Sequence, residues 1–332
     1  MTRIHKPHSG SKGYYPRKRA ERETPSFSTF PEIKTEKAKP LNFFGYKAGM
    51  THLIAKNAKK ESRAFGSNII VPTTIIECPP LKVFGIRVYR HTVNGEKVLG
   101  EALSDKIDKH LKRRIKSIAR KKKKHEIKEL EKMLEGASFI VLLVHTQPYL
   151  TGIGKKKPDV SELRLSGSID EQFNYAKEKL GNEIKLEEVF KPSQFIDVKA
   201  VTKGKGFQGV IKRFGVKQFR PKAKKRRIVG SLGPWNPSTI MRAVARPGQM
   251  GYSTRTEYNK RVVLMEKNFD INPKEGFTHY GLIKNDFVAL SGSVPGAIKR
   301  CIALREPIRK ADEGAFNISE IIFVATKKSE RE

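Results

Sequence analysis

The distribution of apolar residues along the chain predicts many short strands. Residues 41–56 and 69–90 are rich in β-branched and aromatic side chains and are interrupted by Gly and Pro, which is typical of short strands. The pair Asn94-Gly95 stands between two strand-like runs and predicts a tight hairpin. Further strand-like segments are 138–146, 194–202, 262–266, 286–291, 298–305 and 320–326.

A helical period replaces the strand pattern in residues 105–135. Apolar residues recur there mostly at steps of three and four, which predicts a helical insertion. These positions are Ile107, Leu111, Ile118, Ile127, Leu130 and Leu134. A shorter helix is predicted near 170–180, because Ser168 and Glu171 have the spacing of a capping box and Gly181 can end the helix. Short strands with helices set apart predict a mainly β fold with α insertions (α+β), either a β-barrel or a sandwich.

The segment 201–261 has no apolar period and carries a strong positive charge. It contains sixteen Lys or Arg, eight Gly and four Pro, and its one acidic residue is Glu257. A stretch of this length without a core of its own is normally functional or disordered. Because like charges cannot pack together without counterions, we expect this segment to extend from the β core and to be ordered by RNA phosphates.

The N-terminal residues form a second basic, apolar-poor region. Residues 1–40 hold ten Lys or Arg and five Pro, so alone in water this arm should be disordered. The predicted domains are therefore an arm (1–40), a first core part with the helical insertion (41–202), an extended RNA-binding loop (203–261), a second core part (262–326) and a C-terminal tail (327–332).

Net charge narrows the class of partner. A charge of +34 on 332 residues would penalise a compact isolated fold, so a polyanion is the expected partner, either nucleic acid or an anionic membrane. The longest apolar run, 139–144, is about a third of the roughly 20 residues that span a bilayer. The N-terminus has no apolar signal-peptide core, so we expect a cytoplasmic protein.

Cys78 and Cys301 lie in apolar, strand-like segments and are expected to be reduced core residues.

The cationic segment combines three kinds of RNA-binding chemistry. Glycines in 203–209 let backbone amides and lysines approach phosphate closely. Residues 220–227 place six cations in eight positions, which favours binding by counterion release. Trp235, the single tryptophan, lies among Gly and Pro in a cationic setting. That setting favours an exposed stacking platform over the usual core position.

The arm repeats this combination of rings and cations. Tyr14 and Tyr15 stand beside a basic triplet, so their rings can stack on bases while the cations meet phosphates. The predicted rRNA-binding residues are Arg17, Lys18, Arg19, Lys203, Lys205, Lys212, Arg213, Lys217, Arg220, Lys222, Lys224, Lys225, Arg226, Arg227, Trp235, Arg242, Arg246 and Arg255. The basic run 120–124 fits either RNA contact or a solvated face, and the sequence leaves both open.

Cofactor and metal chemistry find little support. Gly204, Gly206 and Gly209 match the GxGxxG pattern, but a dinucleotide fold also needs a helix next and an acidic residue roughly 20 positions later. Residues 210–256 contain no Asp or Glu, and no helix is predicted there. The chain has no CxxC or HExxH motif. We therefore predict no cofactor, no metal site and no small-molecule substrate.

Two other functions share the basic composition. An RNA-modifying enzyme would need a catalytic cluster, but the eight His are scattered and none adjoins a plausible Cys or carboxylate constellation. A chromosomal DNA-binding protein would present an ordered groove-reading element. A Gly-rich cationic loop with one exposed Trp is better suited to folded RNA, which favours a non-enzymatic RNA-binding protein.

Five motifs, in order, resemble the signatures of the family of large-subunit ribosomal protein three. The motifs are Phe44–Thr51 (FGYKAGMT), Lys203–Gly209 (KGKGFQG), Gly233–Pro237 (GPWNP), Ala245–Tyr252 (ARPGQMGY) and Gly276–Asp286 (GFTHYGLIKND). The arm sequence Pro16–Arg19 resembles the archaeal and eukaryotic branch. The resemblance extends over residues 5–310.

The resemblance implies a β-barrel core bound to large-subunit ribosomal RNA near its 3′ end. It also implies an extension toward the peptidyl transferase centre, with a tryptophan finger at Trp235 and a basic finger at 217–227. Such a protein is a ribosome-bound structural component that nucleates subunit assembly and lies beside other large-subunit proteins, notably the fourteenth. Eukaryotic relatives carry a His in the basic finger and a GAWHP motif. Here no His lies between 146 and 278, so no role of that side chain is carried over.

Overall fold

The computed structural model describes residues 11–33, 37–57, 62–119, 127–266, 271–309 and 318–323. The chain divides into two compact units. The loop unit comprises the residues up to Arg22 together with Val201–Thr254, and the sheet unit comprises Glu23–Ala200 and the residues from Arg255 onward.

Strands dominate the described residues, which confirms the predicted mainly β fold with few helices. The strands are β1 Asn42–Asn57, β2 Asn68–Glu77, β3 Leu81–Thr92, β4 Gly95–Leu103, β5 Phe139–His145, β6 Val160–Arg164, β7 Glu183–Ile184, β8 Phe195–Val201, β9 Gly204–Gln208, β10 Gly248–Gly251, β11 Thr254–Glu266, β12 Phe287–Ser291, β13 Cys301–Arg305 and β14 Ile318–Phe323. The helices are α1 Ile127–Lys132, α2 Ile169–Lys179 and α3 Val210–Phe214. Short 3-10 turns are Lys12–Tyr14, Leu111–Arg113, Lys116–Ala119, Leu134–Gly136, Pro148–Leu150 and Leu186–Glu188.

The larger sheet is built around the long strand β1. Its hydrogen-bonded order is β13-β8-β11-β12-β2-β1-β14, and β1 also pairs with β13. The register of β1 places Phe43 opposite Leu304 in β13 and Leu53 opposite Val71 in β2. Residues from both ends of the chain therefore meet in one sheet, and Phe43, Leu53 and Leu304 are fully buried in its core.

A second sheet has the order β4-β3-β5-β6, with β7 paired to β3. Its central strand β5 is buried along its whole length, as its continuous apolar run predicts. The predicted hairpin is confirmed, because Thr92 of β3 faces Gly95 of β4 across the turn. Gly95 has φ +110, a conformation that side chains rarely adopt, which explains the glycine at that position.

Helix α2 confirms the predicted capping box. The amide of Glu171 donates to Ser168 Oγ at 3.4 Å, and the amide of Ser168 donates to Glu171 Oε2 at 3.0 Å. Gln172, in the first turn, accepts a hydrogen bond from the Ile140 amide of β5 at 2.9 Å. The cap and this contact hold the helix against the smaller sheet.

Replacing Ser168 by Ala is expected to destabilise the sheet unit by about 1 kcal/mol, because an amide at the helix N-terminus loses its acceptor. Urea unfolding of the full chain measures this change. Ser117→Ala is the matched control, since Ser117 is exposed and its side chain has no hydrogen bond among the described residues. Equal unfolding midpoints for the two variants would contradict the capping role.

The predicted helix over 105–135 is wrong as a continuous element. The described part contains two 3-10 turns and the short helix α1, and residues 120–126, with the basic run 120–124, lie outside the described residues. The apolar residues serve two different clusters. Leu111 packs with Phe84 and Leu143, whereas Leu130 joins the main core. A single helical stripe cannot face two clusters at once, so the helix-like spacing does not produce one helix.

Two of the five family-like motifs act in the core. Phe44–Thr51 forms part of β1, and Tyr280 from Gly276–Asp286 donates to Glu77 Oε2. Glu77 is fully buried, and its Oε1 accepts from the amide and side chain of Asn285 at 3.0 and 2.8 Å. Burial, and next the charge of Glu77, raise the pKa of Tyr280, which keeps its hydroxyl protonated as a donor. These motifs stabilise the fold.

Part of the arm packs within the sheet unit. Phe27 is half-buried against the main core, and the guanidinium of Arg305 lies 4.3 Å from the centre of its ring. Arg305 also donates to the carbonyl of Thr29 and pairs with buried Asp197 at 2.6 Å. The aromatic ring of Phe27 gives this stretch an anchor that its composition does not predict.

Two further predictions concern the two cysteines and membrane-spanning segments. Cys78 and Cys301 are buried free thiols, which confirms them as core residues. Among the described residues, no helix has the length and apolar character needed to cross a bilayer.

Candidate nucleic-acid interface

A small hairpin forms the base of the cationic segment. Strands β9 and β10 pair antiparallel, with Gln208 opposite Gly248 and Phe207 opposite Gln249. Helix α3 follows directly, with Gly209 as its N-cap. The expectation that no helix follows the GxGxxG pattern is therefore wrong. The helix has five residues, and the acidic residue that a dinucleotide fold requires is still missing.

The cationic segment has no regular structure between Gly215 and Pro247. These residues lie in no helix or strand, and none of them is buried. All predicted cations of this stretch are exposed: Lys217, Arg220, Lys222, Lys224, Lys225, Arg226, Arg227, Arg242 and Arg246. None of them forms an ion pair with a described residue. The stretch therefore carries nine positive charges that no acidic side chain among the described residues neutralises.

Trp235 lies on this uncovered stretch and is 92 % exposed. A core position for the single tryptophan is excluded. Its apolar neighbours Leu232, Ile240 and Met241 are also exposed, so this part of the loop has no cluster into which the ring could pack. An indole held in solvent beside cations can stack on a nucleic-acid base, which is the chemistry expected from the sequence.

The arm residues Arg17, Lys18 and Arg19 belong to the loop unit, together with the base hairpin. Lys18 and Arg19 are exposed, but Arg17 is partly covered because its guanidinium lies 4.1 Å from the centre of the Phe214 ring. Lys203, Lys205 and Lys212 are exposed on the hairpin and on α3. Arg255 is half-buried in β11 and belongs to the sheet unit.

Arg213 acts within the protein. Its guanidinium donates to the carbonyls of Gln249 at 2.9 Å, Arg246 at 2.8 Å and Arg17 at 2.8 Å, and Arg17 donates back to the Arg213 carbonyl. Burial, and next the charge of Arg17, lower the pKa of Arg213. One side chain thus connects α3, the end of the loop and the arm, which is a positioning role the sequence does not reveal.

Arg213→Lys is expected to loosen the loop unit while keeping its charge, because an ammonium cannot reproduce three diverging donors. Amide exchange in β10 and at Gly215, whose amide donates to Ile211, should accelerate at least about tenfold. Hydrogen exchange on the full chain tests this. Lys212→Gln serves as control because the Lys212 side chain forms no hydrogen bond or ion pair with a described residue. Equal exchange in both variants would contradict the role.

Two further residues lie outside the predicted set, an exposed aromatic residue and a buried arginine. Phe207 is 75 % exposed on β9, two residues from Lys205. Phe207 could be identified from the sequence by the same signal as Trp235, an aromatic residue among cations. Arg261, in β11, is only 9 % exposed, and its Nε and Nη1 find no hydrogen-bond partner among the described residues. Burial lowers the pKa of this guanidinium. No sequence signal separates buried Arg261 from the exposed cations of the predicted set.

Metal chemistry is not indicated by the geometry. In the parts of the chain that the structure describes, no group of three or more His, Cys, Asp or Glu side chains is arranged to hold a metal ion.

Comparison with known proteins identifies one family. The profile of the family described as Ribosomal protein L3 matches residues 1–326. The chain is 42 % identical to large ribosomal subunit protein uL3 of Methanobrevibacter smithii over 337 residues, which covers 99 % of each chain. It is 43 % identical to uL3 of Archaeoglobus fulgidus over 330 residues, 98 % of each, and 44 % identical to uL3 of Methanocaldococcus jannaschii over 329 residues, 97 % of each.

Proposed function

This chain belongs to the ribosomal protein L3 family, and we propose that it is a structural protein of the large ribosomal subunit that binds large-subunit rRNA directly. Its place is on the ribosome in the cytoplasm, beside other large-subunit proteins, with the fourteenth as a proposed neighbour. It contributes assembly and positioning, and peptide-bond chemistry is left to RNA.

One observation carries the RNA-binding proposal. The stretch 215–247 carries nine exposed cations that form no ion pair with a described residue, and it buries none of its side chains. Such a chain gains little from its own packing, so phosphates are the partner that can compensate its charge. The arm cations Lys18 and Arg19 in the same unit extend this surface.

The two fingers follow from the same stretch. Residues 217–227 form the basic finger, which neutralises phosphates, and Trp235 forms the tryptophan finger, which reaches toward the peptidyl transferase centre. The exposure of both supports this assignment. The sheet unit is the part that binds rRNA near its 3′ end and starts assembly.

We further propose that the core of the sheet unit is a closed barrel. The pairing path β1-β2-β12-β11-β8-β13 returns to β1 through the β1–β13 pair, which supports closure. A closed path leaves no open edge along these strands.

Sedimentation of a cell lysate tests the proposed function. The protein is expected to migrate with the large subunit in magnesium buffer and to remain bound at moderate salt, because many phosphate contacts act together. Protein that sediments free, or with chromatin, would overturn the proposal. A truncated control without residues 217–227 is expected to leave the subunit at lower salt than the full chain.

A further inference from the structure

The loop unit contains a cleft of about 780 Å³, and its lining includes two of the predicted rRNA-binding cations. It is lined by Lys18, Arg19, Ala20, Glu21, Gly204, Gln249 and Tyr252. Three of these residues come from motifs that resemble the family signatures, and four come from the arm. A cleft of this size is in the range of about 300–1,000 Å³ in which proteins bind small ligands.

Hydrogen bonds to backbone carbonyls hold the two walls of the cleft together. The amide of Ala20 donates to the carbonyl of Tyr252 at 2.7 Å, and Ser253 Oγ donates to the carbonyl of Lys18 at 3.1 Å. Ser253 is itself fixed by its amide, which donates to Thr202 Oγ1 at 3.2 Å. The arm is therefore docked along the turn after β10, and the cleft is a built feature of this unit.

The turn that carries Tyr252 is unusual. Gly251 and Tyr252 have φ values of +69 and +51, so two consecutive residues are left-handed. A Cβ at position 251 would lie 2.1 Å from the carbonyl oxygen of Lys203, so only glycine fits there. A left-handed Tyr costs free energy, and such strain persists where the surroundings fix it, often at ligand sites.

Gln249 presents an acceptor in the cleft. Its Nε2 donates to the carbonyls of Met250 at 3.0 Å and Gly251 at 3.4 Å, which fixes the orientation of the amide. Its Oε1 accepts no hydrogen bond from a described residue, so it can accept an N–H from a ligand. A nucleobase edge carries such N–H groups.

The cations at the rim are available to a phosphate. Lys18 Nζ and Glu21 Oε1 lie 3.7 Å apart, but both side chains are highly exposed. Exposed ion pairs of this kind contribute little to stability, so Lys18 remains available. Arg19 is exposed and forms no ion pair with a described residue. The cleft thus combines an aromatic ring, a base-edge acceptor and a phosphate-binding cation.

We propose that this cleft binds one unpaired nucleotide of rRNA. The base lies against the Tyr252 ring, an N–H of the base donates to Gln249 Oε1, and Arg19, with Lys18, contacts the phosphate. An unpaired base can be splayed out in this way, whereas bases inside a duplex are stacked and paired and cannot enter. The inference deepens the proposed rRNA binding and rests on it.

The test uses the full chain and two RNA probes with the same number of phosphates, a single strand of about twelve nucleotides and a blunt-ended duplex, measured by fluorescence anisotropy. Gly204→Leu fills the cleft without removing a cation. A Cβ at position 204 meets the Tyr252 Cβ at an ordinary 3.6 Å, so the added side chain can be accommodated against Tyr252. This variant should bind the single strand at least about fivefold more weakly, and the duplex within about twofold of wild type. Gly136→Leu in the sheet unit is the control, since Gly136 is exposed and a Cβ there meets no atom closer than 3.9 Å.

A second pair of variants covers the case in which Gly204→Leu does not fold. Tyr252→Leu should weaken single-strand binding by a similar factor, and Tyr252→Phe should retain it because the ring remains. In addition, a 4-thiouridine probe should photocrosslink to the peptide that contains Tyr252. An unchanged affinity of Tyr252→Leu for the single strand would overturn the proposal that the cleft binds a nucleotide. Crosslinks found only in other peptides would overturn it as well. Failure of the wild-type chain to bind either probe would instead overturn the proposed rRNA binding.

Discussion

We expect the plot of log K for RNA binding against log salt to become less steep, by about 3 in slope, when Gln replaces Lys222, Lys224, Lys225 and Arg226 together. Each phosphate contact contributes about 0.7–0.9 to that slope. These side chains are exposed and form no ion pair with a described residue, so their charges are available to phosphates. Near 0.1 M salt, the same change corresponds to an affinity loss on the order of 10³-fold. Anisotropy titrations over a series of salt concentrations measure both quantities.

The sheet unit offers a control with the same change of charge. Lys112, Arg113, Arg114 and Lys116 are also exposed and form no ion pair with a described residue. Their replacement by Gln should leave most of the slope in place if the basic finger is the main phosphate binder. An equal loss of slope in both variants would mean that binding depends on total charge. An unchanged slope in the variant with the substitutions at 222–226 would contradict the proposal that the basic finger binds phosphates.

The second large effect is expected from Trp235→Ala, which should separate folding from function. Since Trp235 is 92 % exposed, the free energy of unfolding should change by less than about 0.5 kcal/mol. Large subunits that carry the variant should form peptide bonds more slowly, on the order of tenfold, because displacing reacting groups by about 1 Å can cost up to about 100-fold. Thermal unfolding of the free protein and single-turnover peptide transfer measure the two effects.

A core aromatic residue provides the contrast for this experiment. Phe287 in β12 is 1 % exposed, and Phe287→Ala should cost about 3–5 kcal/mol of unfolding free energy. A comparable loss in Trp235→Ala would show that the indole packs against the protein. Normal peptide transfer by subunits that contain Trp235→Ala would contradict the tryptophan finger.

Local signals in the sequence predict much of the fold. The strand segments, the hairpin at Asn94-Gly95 and the capping box at Ser168 depend on neighbours within a few residues, so the sequence is sufficient to identify them. The helix over 105–135 fails because its apolar residues pack into two clusters formed by distant strands. Spacing along a chain does not show which partner each side chain meets.

For the candidate RNA interface, too, the sequence predicts some features and not others. Composition alone identifies the cationic stretch and predicts an exposed Trp235, because like charges and a lack of apolar residues prevent self-packing whatever the fold. The composition of the arm does not predict that Phe27 packs against the core or that Arg17 contacts α3. Each contact brings together residues far apart in the sequence.

What the sequence alone determined about this protein is its mainly β class, its cationic loop and its family, since charge, periodicity and motifs are properties of the chain itself. Only the tertiary structure decided that Arg213 connects three segments, that Gly276–Asp286 closes around Glu77, and that Tyr252 lines a cleft with the arm. The physical reason is that donors, acceptors and rings act over a few ångströms, and the fold sets those distances even between residues 276 positions apart.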